Sequence, residues 1–276
     1  MPLSLLLTTH YCNRCLQPPV NTLPDLAVHY LPQFVAESDL AESTVVVVDL
    51  LRASTTISHA LAAGATCVVP CLEVDETFAK AQSFDRSEVI LGGERGGKII
   101  EGFDFGNSPT DYSADQVFGK TVLFTTTNGT RALAHARLAA RILVGCAVNR
   151  SAVVESIVAA DNIHILCAGT NGQVTREDIL AAGAIVEELF QQAATDRWQT
   201  NERAEAAHRE WQELLTTARA MGRSVSEHFA LELRDTTGGK NLLALGYDAD
   251  LDTCAQLDTL TVVPELDTTQ GQIRLP

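Results

Sequence analysis

The sequence predicts an α/β protein in which helices lie on both faces of a mostly parallel or mixed sheet, a layered α/β/α architecture. Apolar runs of strand length alternate with helical patterns along most of the 276 residues. The run STVVVVDLL (43–51) has unbroken valines, which is typical of a strand buried on both faces. Polar residues follow the ends of several strands, where ligands bind in open α/β sheets.

The predicted elements follow one another in a regular order. The strand at 43–51 leads into a helix over 55–65 that ends near Gly64. We predict further strands at 66–70, 88–93, 120–126, 141–148 and 162–169, and further helices at 73–84, 130–139, 151–160 and 175–192. The segment 193–235 predicts amphipathic helices that cover the sheet or contact a partner. The tail from 236 predicts a glycine-rich turn, an acidic helix and a last short strand.

The length of the chain fits two domain organisations. Residues 1–276 can form a single unit, or two α/β halves at about 1–150 and 151–276 can share a cleft. A sheet with a separate helical segment is also compatible with a homodimer. The glycine-rich stretch between the strands at 88–93 and 120–126 is too long for a simple connection, which makes it a candidate functional loop.

Charge and composition exclude several classes of partner. The net charge of −15 opposes binding to nucleic acid or to an anionic membrane surface, and no segment reaches 18 uninterrupted apolar residues. We therefore expect a cytoplasmic protein that binds a small anion. Seven scattered cysteines favour reduced, buried thiols. Cys12 and Cys15 form one CxxC near His10, and without a second pair an ordinary loop is favoured over a zinc site.

The first strand end carries a carboxylate, a guanidinium and hydroxyls. Asp49 follows the valines, and Arg52, Ser54 and Thr55 begin the next helix. Helix N-termini bind anions, and arginine offers a two-pronged donor to phosphate or carboxylate. A purely structural interpretation has equal support, because Ser54 or Thr55 can cap the helix and Asp49 can pair with Arg52.

The later strand ends repeat this combination of residue types. They supply Glu94 and Arg95, then Thr127, Asn128, Gly129, Thr130 and Arg131, then Thr170 and Asn171, and finally Glu177 and Asp178. The Asn128-Gly129 pair permits positive φ, so that neighbouring amides could point at one anion, and Thr130 is expected to cap the following helix. Thr175 is expected to begin a capping box, in which Glu177 and Asp178 complement the helix dipole as readily as they bind metal.

Repetition at four strand ends favours one shared pocket over coincident helix caps. Arginines and hydroxyls would hold an oxyanion there, and carboxylates would hold Mg²⁺, which prefers oxygen ligands and bridges substrate phosphates. The segment GGERGGK (92–98) has the spacing of a nucleotide P-loop. Ile99 stands where Ser or Thr must bind magnesium, however, and no helical pattern follows, so we reject a P-loop.

Long motifs in the right succession resemble the 2-phosphosulfolactate phosphatase (ComB) family over roughly residues 43–264. They are VVVVDLLRASTTI (45–57), GGERGG (92–97), GFDFGNSP (102–109), TTTNGTRAL (125–133), ILCAGT (165–170), REDILAAGAIV (176–186) and GGKNLLALGYDADLDTC (238–254). The resemblance implies a magnesium-dependent phosphatase of α/β/α architecture. Such an enzyme converts 2-phosphosulfolactate to sulfolactate and phosphate on the route to coenzyme M.

The resemblance also implies roles for the strand-end residues. Asp49 is either a magnesium ligand or the nucleophile, and the catalytic candidates are Asp49, Arg52, Glu94 and Arg95. The metal candidates are Asp49, Glu94, Glu177 and Asp178. The substrate-binding candidates are Ser54, Thr55, Asn107, Ser108, Thr127, Asn128, Gly129, Thr130 and Arg131. The alternatives are another small phosphorylated hydroxy acid as substrate, a non-catalytic small-anion-binding protein, and a nucleotide-dependent phosphotransferase.

Overall fold

The computed structural model describes residues 23–276. The CxxC motif of Cys12 and Cys15, which we interpret as an ordinary loop, lies outside the described residues. The strands are β1 (Asp25–His29), β2 (Thr44–Val48), β3 (Cys67–Pro70), β4 (Val89–Arg95), β5 (Lys98–Ile99), β6 (Thr121–Thr125), β7 (Arg141–Val144), β8 (Asn162–Cys167), β9 (Gln199–Thr200), β10 (Glu265–Asp267) and β11 (Gln272–Arg274). They form one sheet in the order β5-β4-β6-β3-β11-β10-β7-β2-β8-β1-β9. The predicted α/β class is confirmed.

Ten α-helices pack around this sheet in the described part of the chain. They are α1 (Ala53–Ala62), α2 (Val74–Ala81), α3 (Ala114–Val117), α4 (Gly129–His135), α5 (Arg150–Ile157), α6 (Arg176–Gln192), α7 (Glu202–Ala220), α8 (Val225–Asp235), α9 (Thr237–Ala244) and α10 (Asp248–Cys254). No helix within residues 23–276 is long and apolar enough to cross a membrane.

Apart from the edge strand β5, which pairs antiparallel with β4, the sheet consists of two parallel sets of strands joined by an antiparallel hairpin. One set is β4, β6 and β3, and the other is β7, β2, β8, β1 and β9. The hairpin β10–β11 pairs antiparallel with β7 on one side and with β3 on the other. The two parallel sets therefore run in opposite senses along the sheet.

The valine run of β2 lies at the centre of the protein, as its sequence predicted. All five residues of β2 are buried, because successive side chains of a strand enter the cores on opposite faces. Val46 and Val48 belong to the core under α5 to α8, whereas Val45 and Val47 belong to the core that contains α1 and α4. Burial of each such side chain contributes about 1.5 kcal/mol or more. Helices therefore cover both faces.

The segment 193–235 is mainly helical, as predicted. Helices α7 and α8 bury Trp211, Leu214 and Phe229 in the same core as α6. The predicted glycine-rich turn at 236 is wrong, because Gly238 and Gly239 lie inside α9. Thr236 caps this helix by accepting the N–H of Gly239 at 3.1 Å, and a Cβ at residue 239 would lie only 1.8 Å from the Leu233 carbonyl oxygen. Gly239 thereby permits close packing of α9 against the end of α8.

The described cysteines are consistent with reduced thiols. Cys67, Cys71, Cys146, Cys167 and Cys254 are free and buried. Burial raises the pKa of the Cys146 thiol to about 11, so this group stays protonated and packs as a small apolar side chain.

Candidate functional site

A cavity of about 370 Å³ opens where both parallel strand sets and helix α9 meet. Its wall includes six of the residues that the sequence analysis singled out for chemistry: Asp49, Arg52, Glu94, Asn107, Thr127 and Asn128. Thr170 and Asn171, after β8, complete the set of strand-end residues. Loops after β2, β4, β6 and β8 thus converge on one space, although the two strand sets run in opposite senses.

Asp49 leaves β2 at the floor of the cavity. Its main chain is held by two hydrogen bonds of 2.9 Å, from its own N–H to Ser54 Oγ and from the Ser54 N–H to its carbonyl oxygen. Its carboxylate accepts only a long bond, 3.4 Å, from the Ala53 N–H among the described contacts. The main chain of Asp49 is therefore fixed, and its carboxylate still has lone pairs free for a ligand.

The pKa of Asp49 lies well above its ordinary value. Burial disfavours the charged form, and the negative charge of Glu94 disfavours it further, so the pKa is raised to about 7. The helix-start N–H of Ala53 and the Arg52 guanidinium oppose this shift weakly. A carboxyl group with its pKa near neutrality, in a cavity and beside a second carboxylate, is typical of a functional site.

Glu94 lies near the end of β4 and accepts hydrogen bonds with both carboxylate oxygens. Oε1 accepts the Thr127 N–H at 2.7 Å, and Oε2 accepts the Gly97 N–H at 2.7 Å and the Thr127 hydroxyl at 3.3 Å. Glu94 therefore connects the β4–β5 turn to the loop after β6. The oxygens that accept these bonds keep further lone pairs for a cation.

Arg52 is buried at 2% exposure, yet it is one of the residues that line the cavity. Nη1 donates to Asp250 Oδ2 at 2.6 Å, Nη2 donates to the Gly97 carbonyl at 3.1 Å, and the Tyr247 ring lies 4.2 Å from Cζ. The sequence left open an ion pair between Asp49 and Arg52. This pair does not form, because Arg52 pairs with Asp250.

Asn107 and Ser108 reach the site from the glycine-rich stretch, as its length suggested. Asn107 lines the cavity, and its side-chain oxygen is buried without a hydrogen-bond partner. Ser108 instead donates to Asp250 Oδ1 at 2.6 Å and does not line the cavity. A buried, unpaired amide oxygen at a cavity wall is available to a ligand.

Two arginines expected at the site lie elsewhere. Arg95 donates to the Leu72 carbonyl at 3.0 Å and to Thr125 Oγ1 at 2.9 Å, so it connects neighbouring chain segments. Arg131 is exposed on α4, 3.8 Å from Glu73. Neither lines the cavity. Arg95 at the end of β4 and Arg131 on α4 both point their guanidinium groups away from the cavity. A sequence motif does not encode the direction of a side chain.

The hydroxyl residues near the helix starts mostly bond to the local backbone. Thr55 donates to the Leu50 carbonyl at 3.0 Å, and Thr130 donates to the Thr126 carbonyl at 3.0 Å. Like Ser54, they are buried and do not line the cavity. The predicted capping by Thr130 is wrong, because α4 begins at Gly129 with Asn128 in the cap position.

The Asn128-Gly129 pair does not form the predicted positive-φ turn. Asn128 has φ of −122°, and Gly129 is not among the positive-φ glycines. Glycine is required at 129 for a different reason, since a Cβ there would lie 2.8 Å from Asp49 Oδ2. The main chain of α4 thereby packs directly against the Asp49 carboxylate.

Glu177 and Asp178 are buried beside the cavity and do not line it. Asp178 accepts the N–H groups of Leu50 and Gly169, each at 2.9 Å, and so joins the ends of β2 and β8. Glu177 accepts the Gly238 N–H at 3.1 Å with Oε1. Thr175 makes no side-chain cap, so the predicted capping box is wrong.

Burial raises the pKa of both Glu177 and Asp178. It raises the pKa of Asp178 well above its usual range, and the nearby Asp49 charge adds to the effect. The pKa of Glu177 is raised by burial as well. No three His, Cys, Asp or Glu side chains within residues 23–276 come together as a metal-binding group. Both acids instead bind main-chain N–H groups.

One wall of the cavity comes from α9, which lies outside the residues predicted for the site. Gly238, Asn241, Leu242, Ala244 and Leu245 line it. A Cβ at Gly97 would lie 2.5 Å from Leu245 Cδ1, so the β4–β5 turn touches the end of α9. The only available signal was the tail motif GGKNLLALGYDADLDTC, which contains all of these positions.

A known protein family matches most of the chain. The family described as 2-phosphosulpholactate phosphatase matches residues 29–269. The chain belongs to the 2-phosphosulfolactate phosphatase family. A relative named "probable 2-phosphosulfolactate phosphatase" from Symbiobacterium thermophilum is 40% identical over 86% of this chain and 96% of its own length.

Two further relatives carry the same name. That of Caldanaerobacter subterraneus subsp. tengcongensis is 37% identical over 84% of this chain and 91% of its own length. That of Clostridium acetobutylicum is 37% identical over 87% and 95%. The 2-phosphosulfolactate phosphatase family is one of phosphoric monoester hydrolases.

The donor set of this member of the 2-phosphosulfolactate phosphatase family fits Mg²⁺. Asp49 and Glu94 bring two carboxylate residues to one cavity, and the unpaired Asn107 oxygen is a third hard oxygen donor from a residue of the same cavity. Magnesium is commonly held by one or two carboxylates together with substrate phosphates and water. A cation there would also relieve the repulsion that raises the pKa of Asp49.

Proposed function

We propose that the protein hydrolyses 2-phosphosulfolactate to sulfolactate and phosphate with Mg²⁺ in the Asp49 cavity. The observation that carries the proposal is the convergence of Asp49, Glu94 and Arg52 on one cavity. Two carboxylates suit a cation, and a guanidinium suits a phosphoryl oxygen. The family and its named relatives supply the substrate, and the route to coenzyme M belongs to the same proposal.

The proposed reaction breaks the bond between phosphorus and the oxygen that bridges it to the substrate carbon. Asp49 acts either as the nucleophile that accepts the phosphoryl group, with water then releasing phosphate, or as a magnesium ligand while water attacks directly. In both routes one water is consumed, its hydroxyl oxygen ends on phosphate, and a proton reaches the leaving alkoxide. A bound Mg²⁺ would supply charge neutralisation at the phosphoryl oxygens.

The side chains of this chain bind and orient the substrate. Arg52 still carries free N–H donors, since its hydrogen bonds to Asp250 and Gly97 use two of the five. Glu94 holds the Thr127 main chain at the cavity edge. The amides of Asn107, Asn128 and Asn241 supply neutral donors around the remaining anionic groups.

The charge of the cavity limits the substrate to a small anion that arrives with a cation. Arg52 is the one arginine that lines it among residues 23–276, and Asp250 already balances its charge. The carboxylates of Asp49 and Glu94 would repel a free phosphoester. A magnesium-bound phosphoester fits this balance better than the free anion does.

A nucleotide-dependent phosphotransferase has less support. The segment 92–98 forms the end of β4, a turn and the start of β5, and no helix begins there as a P-loop requires. A non-catalytic anion-binding protein with the same cavity stays the main alternative. The homodimer, the cytoplasmic location and the division into two halves stay predictions of the sequence.

The experiment is a phosphate-release assay on purified protein. 2-Phosphosulfolactate, phospholactate, phosphoglycolate and ATP would each be supplied with Mg²⁺ and, separately, with EDTA. The proposal expects turnover of 2-phosphosulfolactate that EDTA abolishes and added Mg²⁺ restores. Failure of folded protein to hydrolyse any phosphomonoester would refute the proposal. Activity on phospholactate alone would refute 2-phosphosulfolactate as the substrate and leave the phosphatase activity standing.

A further inference from the structure

Asp250 is a buried carboxylate in the tail motif (238–254) that was not among the residues predicted for the site, and both of its oxygens accept hydrogen bonds. Oδ2 accepts Nη1 of Arg52 at 2.6 Å, in an ion pair whose side chains are 2% and 4% exposed. Oδ1 accepts the Ser108 hydroxyl at 2.6 Å. Asp250 lies on α10 and reaches Arg52 across 198 residues of chain.

Two further groups hold the same guanidinium. The Gly97 carbonyl accepts Nη2 of Arg52 at 3.1 Å, and the Tyr247 ring stacks 4.2 Å from Cζ. A carboxylate, a carbonyl and a ring face thus fix both the plane and the rotation of the guanidinium. The N–H groups that these partners leave free belong to a side chain that lines the cavity.

Stability alone is a weak explanation for this ion pair. Burial of two charges has a desolvation cost that their attraction often only balances, and apolar side chains can fill the same volume at least as well. The pair also adds no net charge for binding an anion. What the arrangement supplies is a guanidinium with a fixed direction at a cavity wall.

We propose that Asp250 is a positioning residue of the phosphatase site. It holds Arg52 so that the remaining N–H donors face the phosphoryl group as it is transferred. This inference rests on the proposed function. A misdirected donor harms the transition state more than the bound substrate, and loss of the Asp250 charge also favours anion binding.

The test compares Asp250→Asn with Asp252→Asn as a matched control. Asp252 is on the same helix, but its side chain is 57% exposed and pairs with Arg234 at the surface. For Asp250→Asn we expect kcat to fall about tenfold to a hundredfold and KM to change less than about threefold. Isothermal titration with inorganic phosphate should show affinity within the same threefold.

A double-mutant comparison separates positioning from a general structural role. In an Arg52→Ala background the substitution Asp250→Asn should lower kcat no further, because its effect acts through the guanidinium. A purely structural role would give additive losses of kcat and would overturn the inference. Thermal melts confirm that each variant is folded.

The remaining outcomes also decide the matter. If the wild type is active and Asp250→Asn matches Asp252→Asn, the inference fails and the proposed function stands. A folded but inactive wild type would overturn both. If Asp250→Asn does not fold, Ser108→Ala takes its place, because it removes the hydrogen bond to Oδ1 and otherwise only a 3.1 Å contact with the Thr110 hydroxyl. A kcat loss of about threefold that disappears in the Arg52→Ala background would then support positioning, and an unchanged kcat would refute it.

Discussion

The Asp49 carboxylate packs against the main chain of Gly129, where an added Cβ would lie 2.8 Å from Oδ2 of Asp49 and 2.7 Å from Cβ of Ala53. Alanine at 129 must therefore displace the carboxylate or α1. We expect Gly129→Ala to lower kcat about tenfold or more. Gly106→Ala is the control in a phosphate-release assay, because its nearest contact would be 3.6 Å. Equal rates for both variants would contradict the close packing.

The raised pKa of Asp49 predicts that removal of its charge stabilises the protein. Because the folded-state pKa of about 7 exceeds the ordinary value of 3.8, the folded state binds the proton more tightly. Ionisation of Asp49 therefore lowers stability as pH rises from about 4 to about 7, and the penalty is complete above that range.

We expect Asp49→Asn to be inactive and to raise the free energy of unfolding by about 1–3 kcal/mol at pH 8. The gain should shrink as pH falls through 7 towards 4. Urea unfolding of both proteins at pH 8, 6 and 4 measures it. A gain that grows at low pH would show that the sign of the shift is wrong.

Substitution of Arg52 and substitution of Arg131 should have very different effects on kcat/KM. Arg52 lines the cavity, whereas Arg131 is exposed and Arg95 bonds to Leu72 and Thr125. We expect Arg52→Ala to lower kcat/KM about a hundredfold or more, and Arg131→Ala to leave it within about twofold. Steady-state kinetics at fixed Mg²⁺ compares them. A large loss for Arg131→Ala would show that Arg131 reaches the substrate.

Asp178 should contribute to stability and not to metal binding. Its carboxylate accepts the N–H groups of Leu50 and Gly169 at 2.9 Å each. Asp178→Ala leaves both donors unpaired, so we expect the free energy of unfolding to fall by about 2–4 kcal/mol. The Mg²⁺ concentration for half-maximal activity should stay unchanged. A large rise in that concentration would indicate a ligand.

The central elements of the fold could be predicted because their sequence patterns are strong. The valines of β2 and the periodicity of α6 are long, regular signals. Strands β1, β5 and β9 were missed, since a five-residue strand and two strands of two residues are recognisable only by their pairing with neighbouring strands. Two glycines hid the helical pattern of α9, because Gly239 packs against the Leu233 carbonyl and Gly238 packs against the Glu177 carboxylate.

The site was predictable where a residue follows a strand directly, as Asp49 does. It was not predictable where side-chain direction decides, as for Arg95 and Arg131. The Asp250–Arg52 pair depends on a contact between distant chain segments that no local pattern contains. Sequence therefore identified the cavity floor, and the structure added the wall from α9 and the partner of Arg52.

The central claim is that the cavity of Asp49 and Glu94 is a phosphatase site. Release of phosphate from 2-phosphosulfolactate by the wild type and by Asp49→Asn, both folded and with Mg²⁺, tests it most directly. We predict turnover by the wild type and a loss of about a thousandfold or more in the variant. Wild-type turnover by Asp49→Asn would contradict the claim.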